Sequence, residues 1–184
     1  LTSDPWTECH YQALRAEAEL DGEETIHQRS EAAPGRPWPL PNVWLGVSVE
    51  DQATADERIP LLLQCPAAVR GVSLEPQLGP VDLSLWLRPD EISWLVAGGE
   101  SGPGARPYDL AWARSAIAQC LTAGIAAFAK QLGARPYDLG GDHLMADGTP
   151  PVVAFLSLRD RKGGDPSEWP EDLRVREFPE FPHA

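Results

Sequence analysis

Three glutamates and one lysine follow apolar segments at nearly regular intervals along the chain. Glu50, Glu75 and Glu100 are 25 residues apart, and Lys130 comes 30 residues after Glu100. Each of the four ends a short apolar run, and the first two runs share the pattern Val-Ser-x-Glu. Such an interval is about the length of one βα unit. The pattern predicts four charged side chains at the carboxyl ends of successive strands, gathered around a single ligand-binding edge.

These residue types could perform three kinds of chemistry at a shared site. Carboxylates can coordinate a hard cation, bind a ligand ammonium group, or act as general acid and base once crowding separates their pKa values. Lys130 could balance the acids, bind a ligand carboxylate or serve as a nucleophile. In the opposite interpretation strand ends simply face solvent, and each acid only caps the following helix. We take Glu50 and Lys130 as candidate catalytic residues.

A glycine-rich segment over residues 98–107 follows the third apolar run. Glycines after a strand let the backbone approach a ligand closely, and Arg106 could hold a carboxylate or a phosphate. The segment is neither a Walker loop nor a GxGxxG fingerprint. A simple tight loop therefore explains it almost as well as a ligand-binding loop does.

The elements that would position these residues alternate between strands and helices. Apolar and β-branched runs predict strands over residues 43–49, 69–74, 92–97 and 125–129, with a fifth strand or edge segment over 152–158. Asp51 and Asp109 are placed to cap helices, and Gly124 is placed to end the second helix. Strands that alternate with helices are typical of a mainly parallel sheet.

We predict an α/β fold, a partial parallel (β/α) TIM-like barrel of four to five strands. Because an eight-stranded barrel cannot close with so few strands, its N-terminal units are expected to be missing. The predicted organisation is a peripheral helical segment over residues 1–35, a βα-repeat partial barrel over 36–158, and a C-terminal tail with a short capped helical turn over 159–184. An open sheet would expose an edge through which the chain could associate.

Composition argues against several classes of function. The net charge of −13 speaks against nucleic-acid binding, which depends mainly on basic residues that meet phosphate. No apolar run approaches the roughly 20 residues of a membrane span, and the first ten residues do not resemble a signal peptide. Three cysteines without paired spacing give no metal motif and fit a cytoplasmic protein. The substrate, a small molecule or a macromolecule, is not identified by the sequence.

Five segments carry a resemblance to a known family. They are residues 37–52, 58–83, 96–107, 127–133 and 159–179, and they include the stretches VWLGVSVEDQ, GVSLEPQLGPVDL and VAGGESGPGARP. In these segments the chain resembles the phage- and prophage-associated three-Cys-motif proteins, a family of unknown function related to the radical-SAM barrels. The resemblance covers roughly residues 36–179, with a weaker fit over 135–151.

The resemblance implies a barrel with a [4Fe–4S] cluster, held by a CxxxCxxC motif, and S-adenosylmethionine. This sequence lacks that motif, so we expect the chain alone to bind neither. Gly98, Gly99 and Glu100 resemble the Gly-Gly-Glu segment with which such barrels contact the methionine ammonium group, and Glu75 with Pro76 resembles the Glu-Pro that follows that segment in many members. The implied cofactor-binding residues are therefore Gly98, Gly99, Glu100, Glu75 and Arg106, and the resemblance leaves open which glutamate meets the ammonium group.

Three functional hypotheses result. In the first, the chain is the C-terminal portion of a radical-SAM-like enzyme, inactive alone and completed by an upstream cysteine segment. In the second, it is a non-enzymatic remnant or a partner-binding phage protein whose strand-end acids have no remaining role. In the third, it is a metal-dependent enzyme with a carboxylate site on a barrel, which would bind divalent ions without any further chain.

Overall fold

The computed structural model of the chain describes residues 39–40, 42–139 and 155–180. Its elements are β1 (Trp44–Ser48), α1 (Gln52–Gln64), β2 (Val69–Leu74), β3 (Trp94–Gly98), β4 (Tyr108–Asp109), α2 (Leu110–Ala123), β5 (Ala126–Gln131), β6 (Pro136–Tyr137) and two 3-10 helices (Pro166–Glu168 and Glu171–Leu173). The helical segment expected over residues 1–35 lies outside the described residues. Of the helices in the described ranges, none has the length and apolar character needed to cross a membrane.

Four of the strands form one parallel sheet in the order β1, β2, β3, β5. The helix α1 connects β1 to β2, and α2 lies between β3 and β5. Each new strand is therefore added on the same side of the previous one, as in folds built from successive βα units. The fold is mixed α/β with a four-stranded parallel sheet, and the described residues do not form a closed barrel.

One face of this sheet carries the main hydrophobic core. Because side chains alternate along a strand, Val72 and Leu74 of β2 and Leu95 of β3 point toward the helices. There they pack in one cluster with Ile59 of α1 and Cys120 of α2, and all of these side chains are buried. Both helices lie on this face, so neither of them covers the opposite face of the sheet.

Residues 166–177 pack onto α2 and β5. Trp169 is buried at 2% exposure and belongs to a second apolar cluster with residues of α2 and β5. Ala129 donates a main-chain hydrogen bond to Val175, and Glu177 donates one to Ala127, each at 2.8 Å. The edge of the sheet on the β5 side is therefore occupied by the chain's own backbone.

The predicted strands and helices of the sheet are present in the structure, although β3 begins two residues later and β5 ends two residues later than predicted. The strand over 69–74 is confirmed at both ends, and the helices begin after Asp51 and Asp109, whose side chains accept hydrogen bonds from Thr54 and Ala111. Of the two alternatives for residues 152–158, the described residues 155–158 do not form a strand, and the single β-bridge of Phe155 with Tyr137 corresponds to an edge segment. Residues 152–154 lie outside the described ranges.

Gly99 makes the tightest backbone contact next to the sheet. A Cβ atom placed on Gly99 would lie 2.5 Å from the Leu132 carbonyl oxygen and 2.7 Å from Cδ1 of Tyr108. Both neighbours are buried, Leu132 and Tyr108 each at 1% exposure. No side chain fits at this position, so glycine allows the segment after β3 to lie directly against β4 and the end of β5.

We predict that Gly99→Ala lowers the free energy of unfolding by about 1–3 kcal/mol, since the added methyl group overpacks a buried contact. Urea denaturation followed by circular dichroism measures this. Gly79→Ala is the matched control, because a Cβ atom there meets nothing within 4 Å. Equal stability of the two variants would contradict the packing role of Gly99.

Candidate functional site

The candidate site lies on the face of the sheet opposite the helices. Parallel pairing aligns the side chains of this face in layers across the strands. Ser73 of β2 pairs with Val96 of β3, so two residues further along Glu75 is level with Gly98. β5 contributes Lys130 at the same level. This last layer lies at the carboxyl ends of the strands, where ligands bind in open α/β sheets.

Glu75 and Lys130 form an ion pair across the intervening strand β3. The Lys130 Nζ atom lies 2.9 Å from Glu75 Oε2, although β2 and β5 are not neighbours. Gly98 separates them, and a Cβ atom placed there would lie 3.4 Å from Glu75 Cδ. The missing side chain at Gly98 therefore provides the space in which the two charged groups meet.

A β-bulge places Lys130 in this position. Ala97 pairs with Ala129, whereas the next residue of β3 pairs with Gln131, so Lys130 is the extra residue in β5. Bulges of this kind redirect a side chain at the end of a strand. The Arg176 guanidinium donates a hydrogen bond to the Lys130 carbonyl oxygen at 3.0 Å and thereby supports the bulged backbone from the edge of the sheet.

Two hydrogen bonds anchor the segment that follows Glu75. The Gln77 backbone N–H donates to the Gly98 carbonyl oxygen at 2.9 Å, and the buried Tyr108 hydroxyl donates to Gln77 Oε1 at 3.1 Å. Burial raises the pKa of Tyr108 above its ordinary value, and the negative charges of Glu75 and Asp109 raise it further. Tyr108 therefore remains a neutral hydrogen-bond donor throughout the physiological pH range.

Glu100 and Arg106 form a second ion pair within the loop after β3. The Arg106 Nε and Nη2 atoms donate to the two carboxylate oxygens at 2.7 and 2.8 Å, and the Arg106 backbone N–H donates at 2.9 Å. The side-chain hydrogen bonds from Arg106, followed by the backbone one, lower the pKa of Glu100 from 4.5 to about 2. The two residues therefore engage each other through a bidentate contact.

Glu50 has its basic partner on α1. The Arg58 Nη1 atom donates to Glu50 Oε2 at 3.1 Å and to the Ser48 carbonyl oxygen at 2.7 Å. The backbone N–H groups of Glu50 and Asp51 both donate to Thr54 Oγ1 at 3.0 Å. The N-terminal cap of α1 thus holds Glu50 at the edge of the sheet.

The structure arranges the predicted acids as ion pairs and not as one acidic cluster. Each of the three carboxylates has an Arg or Lys nitrogen within 3.1 Å. Within the described ranges no group of three His, Cys, Asp or Glu side chains could hold a metal ion. The metal-dependent hypothesis therefore has no ligand set in this part of the chain. What the edge can do is exchange ion-pair partners with a charged ligand.

One comparison with known proteins decides the family of the chain. A family model for a protein of unknown function, DUF5131, matches residues 7–158, which is most of the sequence. The chain belongs to the DUF5131 family. A search of curated proteins and a search of solved structures each found no match. The DUF5131 description names no reaction, and nothing in it ties the chain to phage proteins, a three-cysteine motif or radical-SAM barrels.

The DUF5131 match includes the residues of all three ion pairs, but not every residue that holds these pairs in place. It ends at residue 158, whereas Arg176, which hydrogen-bonds to the Lys130 carbonyl oxygen, lies beyond it. Residues 175–177, which pair with β5, also lie beyond it. The backbone that carries Lys130 is therefore held in part by residues outside the family match.

Lys130 and Arg106, which complete two of these pairs, were among the predicted residues, whereas Arg58, Gln77 and Arg176 were not. Arg58 lies seven residues after the cap Asp51, about two helical turns, and this spacing could have indicated it. Gln77 carries no such signal, because the local pattern does not show that a glutamine in a loop is 1% exposed. Arg176 was outside the candidate set because its segment was expected to form a tail.

We predict that the Glu100 carboxyl group titrates near pH 2 in the folded protein, and that Arg106→Gln raises its pKa toward 4.5. Since the folded-state pKa is lowered, the pair stabilises the fold above about pH 4.5, and this contribution is lost as the pH falls toward 2. Carbon-13 NMR of the glutamate side chains measures both values. Arg88→Gln is the control, and an unchanged pKa in Arg106→Gln would refute the assignment.

Proposed function

We propose that the carboxyl edge of the sheet binds a small ligand that carries both an ammonium and a carboxylate group. The single observation that supports this is the ion pair between Glu75 and Lys130 across Gly98. A carboxylate and an ammonium group 2.9 Å apart are complementary to the two charged groups of an α-amino acid. S-Adenosylmethionine, whose methionine part is such an amino acid, is the candidate that the resemblance to radical-SAM barrels suggests.

Glu75, and not Glu100, is the residue that we assign to the ligand ammonium group. Glu100 accepts three hydrogen bonds from Arg106, and a ligand would have to break a bidentate contact to engage it. Glu75 has one lysine partner, and the Lys130 side chain is 54% exposed on a flexible stem. A ligand can therefore displace Lys130 from Glu75 and offer its own carboxylate to the lysine.

The other candidate residues take supporting roles in this proposal. Gly98 leaves space for the head group, whereas Gly99 is needed for packing, and its backbone N–H already donates to the Gln131 carbonyl oxygen at 3.0 Å. Arg106 fixes the loop through Glu100. Glu50, whose one basic partner is Arg58, borders the same edge and remains our candidate for a catalytic carboxylate.

The described cysteines do not fit a [4Fe–4S] cluster. Cys65 lies at the C-terminal end of α1 and Cys120 lies within α2. Burial raises the pKa of the Cys120 thiol to about 12, whereas cluster ligands are thiolates. A cluster together with S-adenosylmethionine supplies radical chemistry, and it would need a cysteine motif that this sequence does not contain. The role proposed for the described residues is to bind and orient the amino acid group of the ligand.

Isothermal titration calorimetry of the 184-residue chain with S-adenosylmethionine tests this proposal. The proposal departs from the expectation, drawn from the missing CxxxCxxC motif, that the chain alone binds no S-adenosylmethionine, because Glu75 and Lys130 form their pair without a cluster. We predict that Glu75→Gln and Lys130→Met each weaken binding at least tenfold, because each removes one charge-assisted contact worth roughly 1.5–3 kcal/mol. Glu91→Gln is the matched control, since Glu91 pairs with Arg88 in an exposed contact before β3. Binding that Glu75→Gln leaves unchanged, or an absence of binding to the unmodified chain, would refute the proposal.

A further inference from the structure

We infer that the face of the sheet opposite the two helices, next to the Glu75–Lys130 pair, binds a planar aromatic ring carried by the same ligand. This inference rests on the proposed function and adds the body of the ligand to its charged head group. The ligand class is an amino acid or a close derivative whose side chain ends in a flat ring. Three features support a ring at this place: a cavity, the strand register around the cavity, and the distance between the cavity and the ion pair.

A cavity of 170 Å³ lies on this face between β1, β2 and β3. Two tryptophans, Trp44 and Trp94, contribute to its lining together with Gly46, Gly71 and Val96. Apolar cavities of about 150 Å³ bind benzene in proteins. The volume therefore suits one planar aromatic group, from a phenyl ring to a two-ring system such as indole.

Glycines give this cavity a flat floor. Gly46 and Gly71 pair with each other in the register of β1 and β2, so two adjacent positions of the face carry no side chain. Trp94 pairs with Gly71 on the other side. Where neighbouring strands offer only backbone beside an indole ring, a planar group makes close contact over its whole surface, and a branched aliphatic group does not.

The aromatic wall is held in place by the rest of the fold. Trp94 and Trp44 meet edge to face, with ring centroids 5.4 Å apart and an interplanar angle of 81°. The Trp94 indole N–H donates to the Glu177 carbonyl oxygen at 3.0 Å, and Phe178 lies 5.4 Å from the same ring. The ring of Trp94 is therefore fixed before any ligand arrives, which is the condition for selective binding.

The distance from this cavity to the ion pair sets the length of the ligand. Ser73 lines the cavity and precedes Glu75 by two residues on the same face of β2. At about 3.3 Å per residue, the two levels are roughly 7 Å apart. A ring joined to an amino acid head group by a short linker spans this distance, so one ligand can occupy both places.

A cation in the cavity is the competing interpretation, because tryptophan rings also attract ammonium groups. The residues that line the cavity include no carboxylate, and Glu50 and Glu75 lie beyond it at the strand ends. An ammonium group would therefore lose its hydration without a charged partner, whereas Glu75 offers one in the next layer. This difference favours the ring in the cavity and the ammonium group at the edge.

Filling the cavity tests the inference. In Gly71→Val the added Cβ lies 3.6 Å from the Trp94 carbonyl oxygen and 3.8 Å from Cε3 of the Trp94 ring, both ordinary contacts, and its methyl groups occupy the floor beside that ring. By NMR titration we expect L-phenylalanine and L-tryptophan to bind the unmodified chain at least tenfold more tightly than L-alanine does. Gly71→Val should abolish this difference and leave L-alanine binding unchanged. Gly79→Val, in open space, should preserve it.

Each outcome separates the inference from the proposed function. Equal affinity for all three amino acids, or full aromatic preference in Gly71→Val, overturns the ring site while the head-group site stands. Loss of L-alanine and S-adenosylmethionine binding in Glu75→Gln is the separate test of the head group. If Gly71→Val weakens S-adenosylmethionine binding in addition to abolishing the aromatic preference, the adenine of the cofactor occupies the same ring site. Saturable binding of tetramethylammonium in the cavity would show that the cavity holds a cation and would overturn the ring site.

A second measurement does not depend on the folding of the variant. In the unmodified chain, intermolecular NOEs should connect the ring protons of L-phenylalanine to the indole protons of Trp44 and Trp94. NOEs from the ligand to other aromatic residues only, or none to these two indoles at a saturating ligand concentration, would overturn the inference.

Discussion

The contact between Glu75 and Lys130 is made by residues on two strands that do not pair, and it requires several parts of the fold to agree. Gly98 must lack a side chain so that the two can meet across β3. The bulge in β5 must present Lys130. Gln77 must hold the segment after Glu75 against the carbonyl of β3. The parallel register of the sheet brings these features to one level, and without that register Glu75 and Lys130 would not meet.

This arrangement contributes little to stability by itself. The Lys130 side chain is 54% exposed, and ion pairs in such surroundings are worth about 0–1 kcal/mol. The supports around it, by contrast, are buried: Tyr108 and Gln77 are each 1% exposed. A rigid, buried frame around a weak and accessible ion pair is what a binding site needs, because the ligand can replace the pair without disturbing the frame. Residues 175–177 extend the frame along β5.

The sequence predicted the strands well and the contacts poorly, for physical reasons. The strand over 69–74 was predicted at both ends because a strand buried in a parallel sheet is a continuous apolar run. β5 runs two residues further than predicted, through Lys130 and Gln131. The strand was predicted from a run of apolar residues, and the polar residues at the bulge do not belong to that run. The spacing of the glutamates indicated one sheet edge, but their partners Arg58 and Lys130 depend on tertiary geometry. The described residues do not form a closed barrel, so the TIM-like barrel stays a prediction.

Chemical-shift mapping is the most direct test of the central claim that this edge binds an amino acid head group. With S-adenosylmethionine added to the nitrogen-15-labelled chain, we predict that amide shifts concentrate in residues 75–77, 98–100 and 130–132. A different cavity of 650 Å³ lies at the amino ends of β3 and β5, beside Ile92, Leu121 and Phe178. Shifts confined to that cavity, or no shifts at a saturating ligand concentration, would contradict the assignment of the edge as the binding site.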